Sequence, residues 1–177
     1  YIRIARTLSF RKVYNMLLLY ISFHLSRFLK RPVVLGKPAV ASIEPSTSCN
    51  LRCPQCPSGL RRFSRPTGML DLHLYKRMLQ QLGPQLHSLT LYFQGEPFLH
   101  PNFTDLVKEA KAKNIFTITS TNAHYLSDEL ASETIKSGLD KLIISVDGTT
   151  AETYRKYRVG GDFEKVLEGT RRLVKQK

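Results

Sequence analysis

The sequence predicts an α/β fold: a parallel sheet covered by helices, preceded by a separate N-terminal helix. Three observations carry this. From Ala39 onward, short apolar runs alternate with stretches of helical periodicity. The runs are apolar enough to be buried on both faces, as parallel strands are. Each stretch rich in unusual polar residues directly follows one of these runs, and in βα folds the loops at the C-terminal strand ends build the site.

The first 37 residues stand apart. They hold eight basic side chains and no acidic one, whereas the remainder carries nineteen basic against fourteen acidic. The net charge of +13 is therefore largely an N-terminal property. A helix over about Thr7–Leu29 would place Val13, Met16, Leu17, Tyr20, His24 and Phe28 on one face, widened by Leu18, Leu19 and Phe23. The apolar core Val13–Phe23 falls short of the ~20 residues that span a bilayer. Its basic flanks resemble a signal-peptide core, but the small residues Ala39-Val40-Ala41 lie far beyond it and inside the first strand. Two readings stand: this basic helix lies on an anionic membrane surface, or it packs against the rest of the protein. Pro32 and Gly36-Lys37-Pro38 mark a linker. The predicted division is 1–37, helix and linker, and 38–177, the βα region.

Strands are predicted at Ala39–Glu44, Ser88–Phe93, Ile115–Ser120 and Lys141–Val146. Helices are predicted at Leu70–Leu82, Phe103–Lys113, Ser127–Ser137 and Asp162–Lys175. Gly83-Pro84 closes the first of these, and Ser127 and Gly138 bracket the third. Composition is ordinary for a globular chain, at 42% hydrophobic and 23% charged. The charge excess carries no zinc-finger or RNP-type signature, so no nucleic-acid partner is expected.

All three cysteines, Cys49, Cys53 and Cys56, sit in one loop as C-N-L-R-C-P-Q-C. An odd, clustered set builds no disulfide framework, and the lack of further cysteines favours a reducing cytosol. Three thiolates suit iron–sulfur, zinc or copper(I), with one coordination position left open. His100 or His124 would complete a zinc site, which makes a non-enzymatic zinc- or iron–sulfur-binding module the alternative.

The cysteine motif after a first strand resembles that of the radical S-adenosylmethionine (radical SAM) enzymes. Gln94-Gly95-Glu96-Pro97, Ser120-Thr121-Asn122 and the segment Ile144–Arg158 resemble further motifs of that superfamily, in the same order. The nearest branch resembles the peptide-modifying and sulfatase-maturing enzymes, which often carry a C-terminal auxiliary-cluster (SPASM-type) domain. The resemblance implies a partial (β/α) barrel, with about four of six βα units in this chain, so that residues 38–177 are the N-terminal part of the core domain. The rest of the barrel is expected beyond Lys177, and the isolated piece is expected to be poorly soluble.

The same resemblance implies that Cys49, Cys53 and Cys56 hold a 4Fe–4S cluster whose fourth iron binds S-adenosylmethionine. Gly95 and Glu96 would meet its ammonium group, Ser145 and Asp147 its ribose, and Arg158, with Arg155 as competitor, its carboxylate. Asn122 would order the rim or touch the cosubstrate. A reductant such as flavodoxin or ferredoxin and a peptide or small-molecule substrate are implied partners. Gln55, Gln94 and Ala123 depart from the superfamily's usual aromatic, glycine and glycine. Arg61, Arg62 and Arg65 form either a solvated basic loop or a surface for an acidic partner. The location implied is cytoplasmic, with the inner membrane face allowed by the N-terminal helix.

Overall fold

The computed structural model describes residues 5–177. Helix α1 (Phe10–Leu29) leads into β1 (Val40–Ser42), a short α2 (Pro57–Leu60), α3 (Leu72–Leu82) and β2 (Ser88–Thr90). A 3₁₀ turn (Pro97–Leu99), α4 (Phe103–Lys111), β3 (Phe116–Thr121), α5 (Asp128–Lys136) and β4 (Lys141–Ile144) follow. The chain closes with α6 (Ala151–Tyr157) and α7 (Phe163–Gln176).

The four strands form one parallel sheet in the order β1-β2-β3-β4, with Ala41 beside Leu89 and Leu89 beside Thr117. Sequential order in a parallel sheet means that every crossover steps the same way, which winds the arc of a (β/α) barrel rather than a doubly wound sheet. The core lies between this sheet and its helices. Leu86, Leu89, Leu91, Phe103, Leu106 and Ile115 are fully buried. Tyr75 reaches into it from α3 and satisfies its hydroxyl by donating to the Leu106 carbonyl at 2.8 Å. Caps fix the helix starts: Asp71 accepts from Leu74 N–H and Ser127 from Leu130 N–H. Gly138, at φ +80°, ends α5 in the left-handed conformation that glycine adopts freely.

Strands β1, β2 and β4 are shorter than the apolar runs suggest, while β3 keeps its six residues one position further along. Ladder bonding continues one residue beyond three of them, through Ile43 N–H to Thr90 O, Leu91 N–H to Ile118 O and Ser145 N–H to Thr121 O. After that the backbone splays to form the rim. Helix α6 lies in a stretch read from sequence only as a polar loop. A capping box between Thr150 and Thr153 starts it, and Glu152 pairs with Lys156 one turn on.

Helix α1 begins at Phe10 rather than near Thr7, because Ser9 caps it by accepting from Lys12 N–H. Its packing inverts the usual pattern. Lys12, Asn15 and Ser22 are its buried residues, while Phe10, Leu17, Tyr20 and Phe28 are exposed. Asn15 brackets Lys37 with two 2.8 Å hydrogen bonds, and Ser22 and Ser26 accept the N–H groups of Leu35 and Val33. The linker thus runs back along the polar side of the helix, with Leu19 beside Gly36, while Val13, Leu17, Tyr20 and Phe28 of the predicted apolar face stay exposed.

Candidate active site at the strand ends

The residues after β1 place the three cysteines. Cys56 is the N-cap of α2 and Pro57 its first residue, a position where the missing N–H costs nothing. Arg52 N–H donates to Val159 O at 2.8 Å, tying the cysteine loop to the end of α6. Cys49, Cys53 and Cys56 line one cavity of about 260 Å³. The loops after the other three strands complete its wall through Gly95 and Glu96, Asn122, and Ser145 with Arg158. All four predicted loops therefore converge. Asp147 does not line the cavity: β4 ends at Ile144, so the two-residue alternation that paired Asp147 with Ser145 does not extend that far.

Each thiol points to a different neighbour. Asn122 Nδ2 lies 3.8 Å from Cys49 Sγ, Arg158 Nη1 lies 3.8 Å from Cys53 Sγ, and Cys56 Sγ lies 3.8 Å from Gln94 O. Burial pushes the Cys49 and Cys53 thiols up, and the Arg158 charge pulls Cys53 back. Among the described residues no three His, Cys, Asp or Glu side chains converge to hold a single metal ion. The histidines proposed as zinc ligands have other work. His100 bonds Leu70 O through Nε2 at 2.7 Å and accepts from Asn102 N–H through Nδ1. His124 accepts from Asp162 N–H through Nε2 at 2.8 Å, and its Nδ1 lies 3.0 Å from Asn122 O. Neither lines the cavity.

Glu96 is 2% exposed and cross-links the rim. Its Oε1 accepts from Thr121 Oγ1 at 2.7 Å and Phe98 N–H at 3.1 Å, and its Oε2 from Asn122 N–H at 2.8 Å. Burial raises its pKa, and these three donors oppose that by favouring the carboxylate. Gly95 is required for closeness: a Cβ there would sit 1.8 Å from Ser46 O. Ser145 Oγ is 3.0 Å from Ser120 Oγ, joining the ends of β3 and β4. Arg158 pairs with Asp147 through Nε and Nη2, both at 2.5 Å, while Nη1 faces Cys53. Arg155 is exposed and absent from the cavity wall.

Glu44 was missed by sequence reasoning. Its Oε1 accepts from both Gln94 and Gly95 N–H, and its Oε2 pairs with Arg65 at 2.6 Å. An acidic residue ending an apolar strand, five residues before the first cysteine, was the available signal. The donor set fits an iron–sulfur cluster: three soft thiols on one partly buried wall, without a fourth cysteine, beside the polar groups of Gln94, Asn122, Ser145 and Arg158.

Known proteins resemble this chain in sequence or in fold. The AdoMet-dependent heme synthase of Methanosarcina barkeri is 27% identical over 139 residues, 78% of this chain and 40% of that protein. The GTP 3',8-cyclase of Lactiplantibacillus plantarum is 34% identical over 127 residues, 68% of this chain and 37% of that enzyme. The chain thus spans about two fifths of the length of these curated relatives. Streptococcus suis SuiB bound to its precursor peptide SuiA shares the fold at TM-score 0.68 and 16% identity, covering 89% of this chain and 34% of SuiB. The Radical SAM superfamily matches residues 43–177, from the end of β1 through all four loops of the cavity, and the chain belongs to that superfamily, whose members use a 4Fe–4S cluster and S-adenosylmethionine.

Proposed function

We propose that this protein holds a 4Fe–4S cluster on Cys49, Cys53 and Cys56 and cleaves S-adenosylmethionine reductively, starting radical modification of a peptide, protein or small molecule. One observation carries the reading: the three cysteines and the loops after β2, β3 and β4 meet at a single cavity. When bound, the cluster supplies the electron that breaks a carbon–sulfur bond of the cosubstrate and yields a 5′-deoxyadenosyl radical.

The chain's own residues bind and orient. The Gln94–Gly95 backbone offers acceptors for the ammonium group, with the Glu96 charge behind them. Ser145 suits a ribose hydroxyl. Arg158 offers the planar fork that fits a carboxylate, and Asp147, gripping two of its nitrogens, sets its orientation. Asn122 orders the rim by donating to Asn50 Oδ1 at 2.7 Å. Residues 38–177 form the N-terminal part of the core domain and 1–37 an appended element. A small electron carrier such as flavodoxin or ferredoxin serves as reductant in the cytoplasm. A peptide substrate agrees with SuiB, a relative in fold that was captured with a precursor peptide. Contact of the N-terminal helix with a membrane is developed below.

The test is anaerobic reconstitution with iron and sulfide, followed by assay for 5′-deoxyadenosine under reductant. Product, and its loss in Cys53→Ala, is the expected result. No product together with no spectral response to S-adenosylmethionine would overturn the proposal.

A further inference from the structure

The polar and apolar sides of α1 are reversed relative to an ordinary packed helix. Lys12, Asn15, Leu19, Ser22 and Ser26 recur at helical spacing along one stripe. Lys12, Asn15, Ser22 and Ser26 bind the linker and the body of the protein. Opposite that stripe stand Phe10, Leu17, Ile21 and Phe28, with Phe10 86% and Phe28 85% exposed. Val34, at 79%, adds to the same exposed apolar content from the linker. A scattered exposed leucine needs no explanation, but a continuous apolar helix face marks an interaction surface.

Charge identifies what covers it. Arg6, Arg11, Arg27, Lys30 and Arg31 are exposed around this face, and no acidic residue occurs before Glu44. Another face of this protein or a further domain would demand matched acidic groups for so many cations. An anionic lipid surface supplies them at any orientation. No helix of the described residues is long and apolar enough to cross a bilayer, so the helix would lie in the interface plane. The superfamily match begins at residue 43, which leaves α1 outside the matched region.

The docking geometry adds a consequence. Lys12 Nζ donates to Asn114 O, two residues before β3, and Thr7 Oγ1 lies 3.3 Å from His87 Nδ1, immediately before β2. Helix α1 therefore sits at the N-terminal ends of the strands, whereas the cysteine cavity lies at their C-terminal ends. We infer that α1 docks the protein onto an anionic membrane surface through its Phe10–Phe28 face, holding the catalytic rim away from the lipid and open to substrates from solution.

Vesicles of phosphatidylcholine with and without phosphatidylglycerol test this without any turnover, so the result is independent of the cluster chemistry. The chain has no tryptophan, so Phe28→Trp and, on the rim, Phe93→Trp are clean fluorescence reporters. Sedimentation with anionic vesicles is expected, weakened about tenfold or more by Arg27→Glu with Lys30→Glu, and lost on raising salt from ~0.1 M to ~1 M. Phe10→Ser with Phe28→Ser is expected to abolish it with the circular dichroism spectrum unchanged, since both side chains are exposed. Brominated lipid should quench the tryptophan at 28 and spare that at 93. The inference is overturned by failure to sediment, by binding that survives the serine variant, by equal quenching of both reporters, or by an apolar face that instead mediates self-association without lipid.

Discussion

Glu44 Oε1 accepts the backbone N–H of Gly95 at 2.9 Å, fastening the end of β1 to the loop after β2. The same oxygen takes the N–H of Gln94, and Arg65 holds the other oxygen. The Glu44 side chain is 9% exposed, so water does not replace these bonds when they are lost. A hydrogen bond to a charged group contributes about 1.5–3 kcal/mol, and Glu44 makes two to backbone. Glu44→Ala is expected to cost about 2–4 kcal/mol in urea denaturation and to weaken S-adenosylmethionine binding while the reconstituted iron content holds. Glu44→Gln, which keeps an acceptor, should recover at least half of the loss. Equal stability of the alanine variant and the parent would contradict the assignment.

The loop that Glu44 holds has no room for a side chain. A Cβ on residue 95 would lie 1.8 Å from Ser46 O, and backbone cannot rotate aside as a flexible side chain does. Gly95→Ala is expected to push the two loops apart, at about 1–3 kcal/mol or more. Because Ser48 O also accepts Glu96 N–H at 2.8 Å, the displacement would reach Glu96. The expected signature is weaker cosubstrate binding out of proportion to the change in unfolding midpoint. A fully active, fully stable alanine variant would contradict it.

What was legible in the sequence follows from how local each signal is. Apolar runs and caps are local, so all four strands and the helices α3, α4, α5 and α7 were found, with strand ends overrun because Glu44 and Val146 continue an extended pattern after pairing has stopped. The cysteines were legible because thiolates so close together leave few alternatives. Glu44 was invisible because its partners lie 50 and 51 residues away and are backbone groups, which no side-chain pattern reports. Helix α6 was missed although Thr150-x-x-Thr153 is a local cap, since the polar composition of the segment pointed to a loop. Periodicity marks an apolar and a polar side on α1, but it cannot say which face turns inward. Here three buried polar side chains decided it.

His124 gives a pH dependence with a definite sign. Burial lowers its pKa from the ordinary 6.5, and Nε2 accepts the Asp162 N–H at the start of α7. Asp162 and Asn122 raise it, while Lys165 and Arg158 lower it further. The unfolded chain thus binds the proton more readily than the fold does. Stability from this group is present above the unfolded value and is lost as pH falls through 6.5 toward the lower folded value. Urea midpoints measured across that range should drop, and His124→Gln should flatten the drop. An unchanged slope in the variant would assign the pH dependence elsewhere.

Lys12 tests whether α1 is attached by a few polar bonds or by a core. Its residue is 2% exposed, and its Nζ donates to Asn114 O at 2.6 Å and Thr7 O at 3.0 Å. Burial and the nearby Lys111 both lower its pKa, so the amine is held at a cost that the two carbonyls offset. Lys12→Met keeps the apolar stem and removes both donors. Because the apolar side of α1 buries little against the body, the loss of about 1–3 kcal/mol per unsatisfied carbonyl falls on docking rather than on the sheet. Amide exchange in α1 and the linker is expected to speed up about tenfold or more, while exchange in β2 and β3 stays as in the parent. Proteolysis should then cleave between α1 and β1 first. Accelerated exchange across all four strands would show instead that α1 is part of the cooperative core.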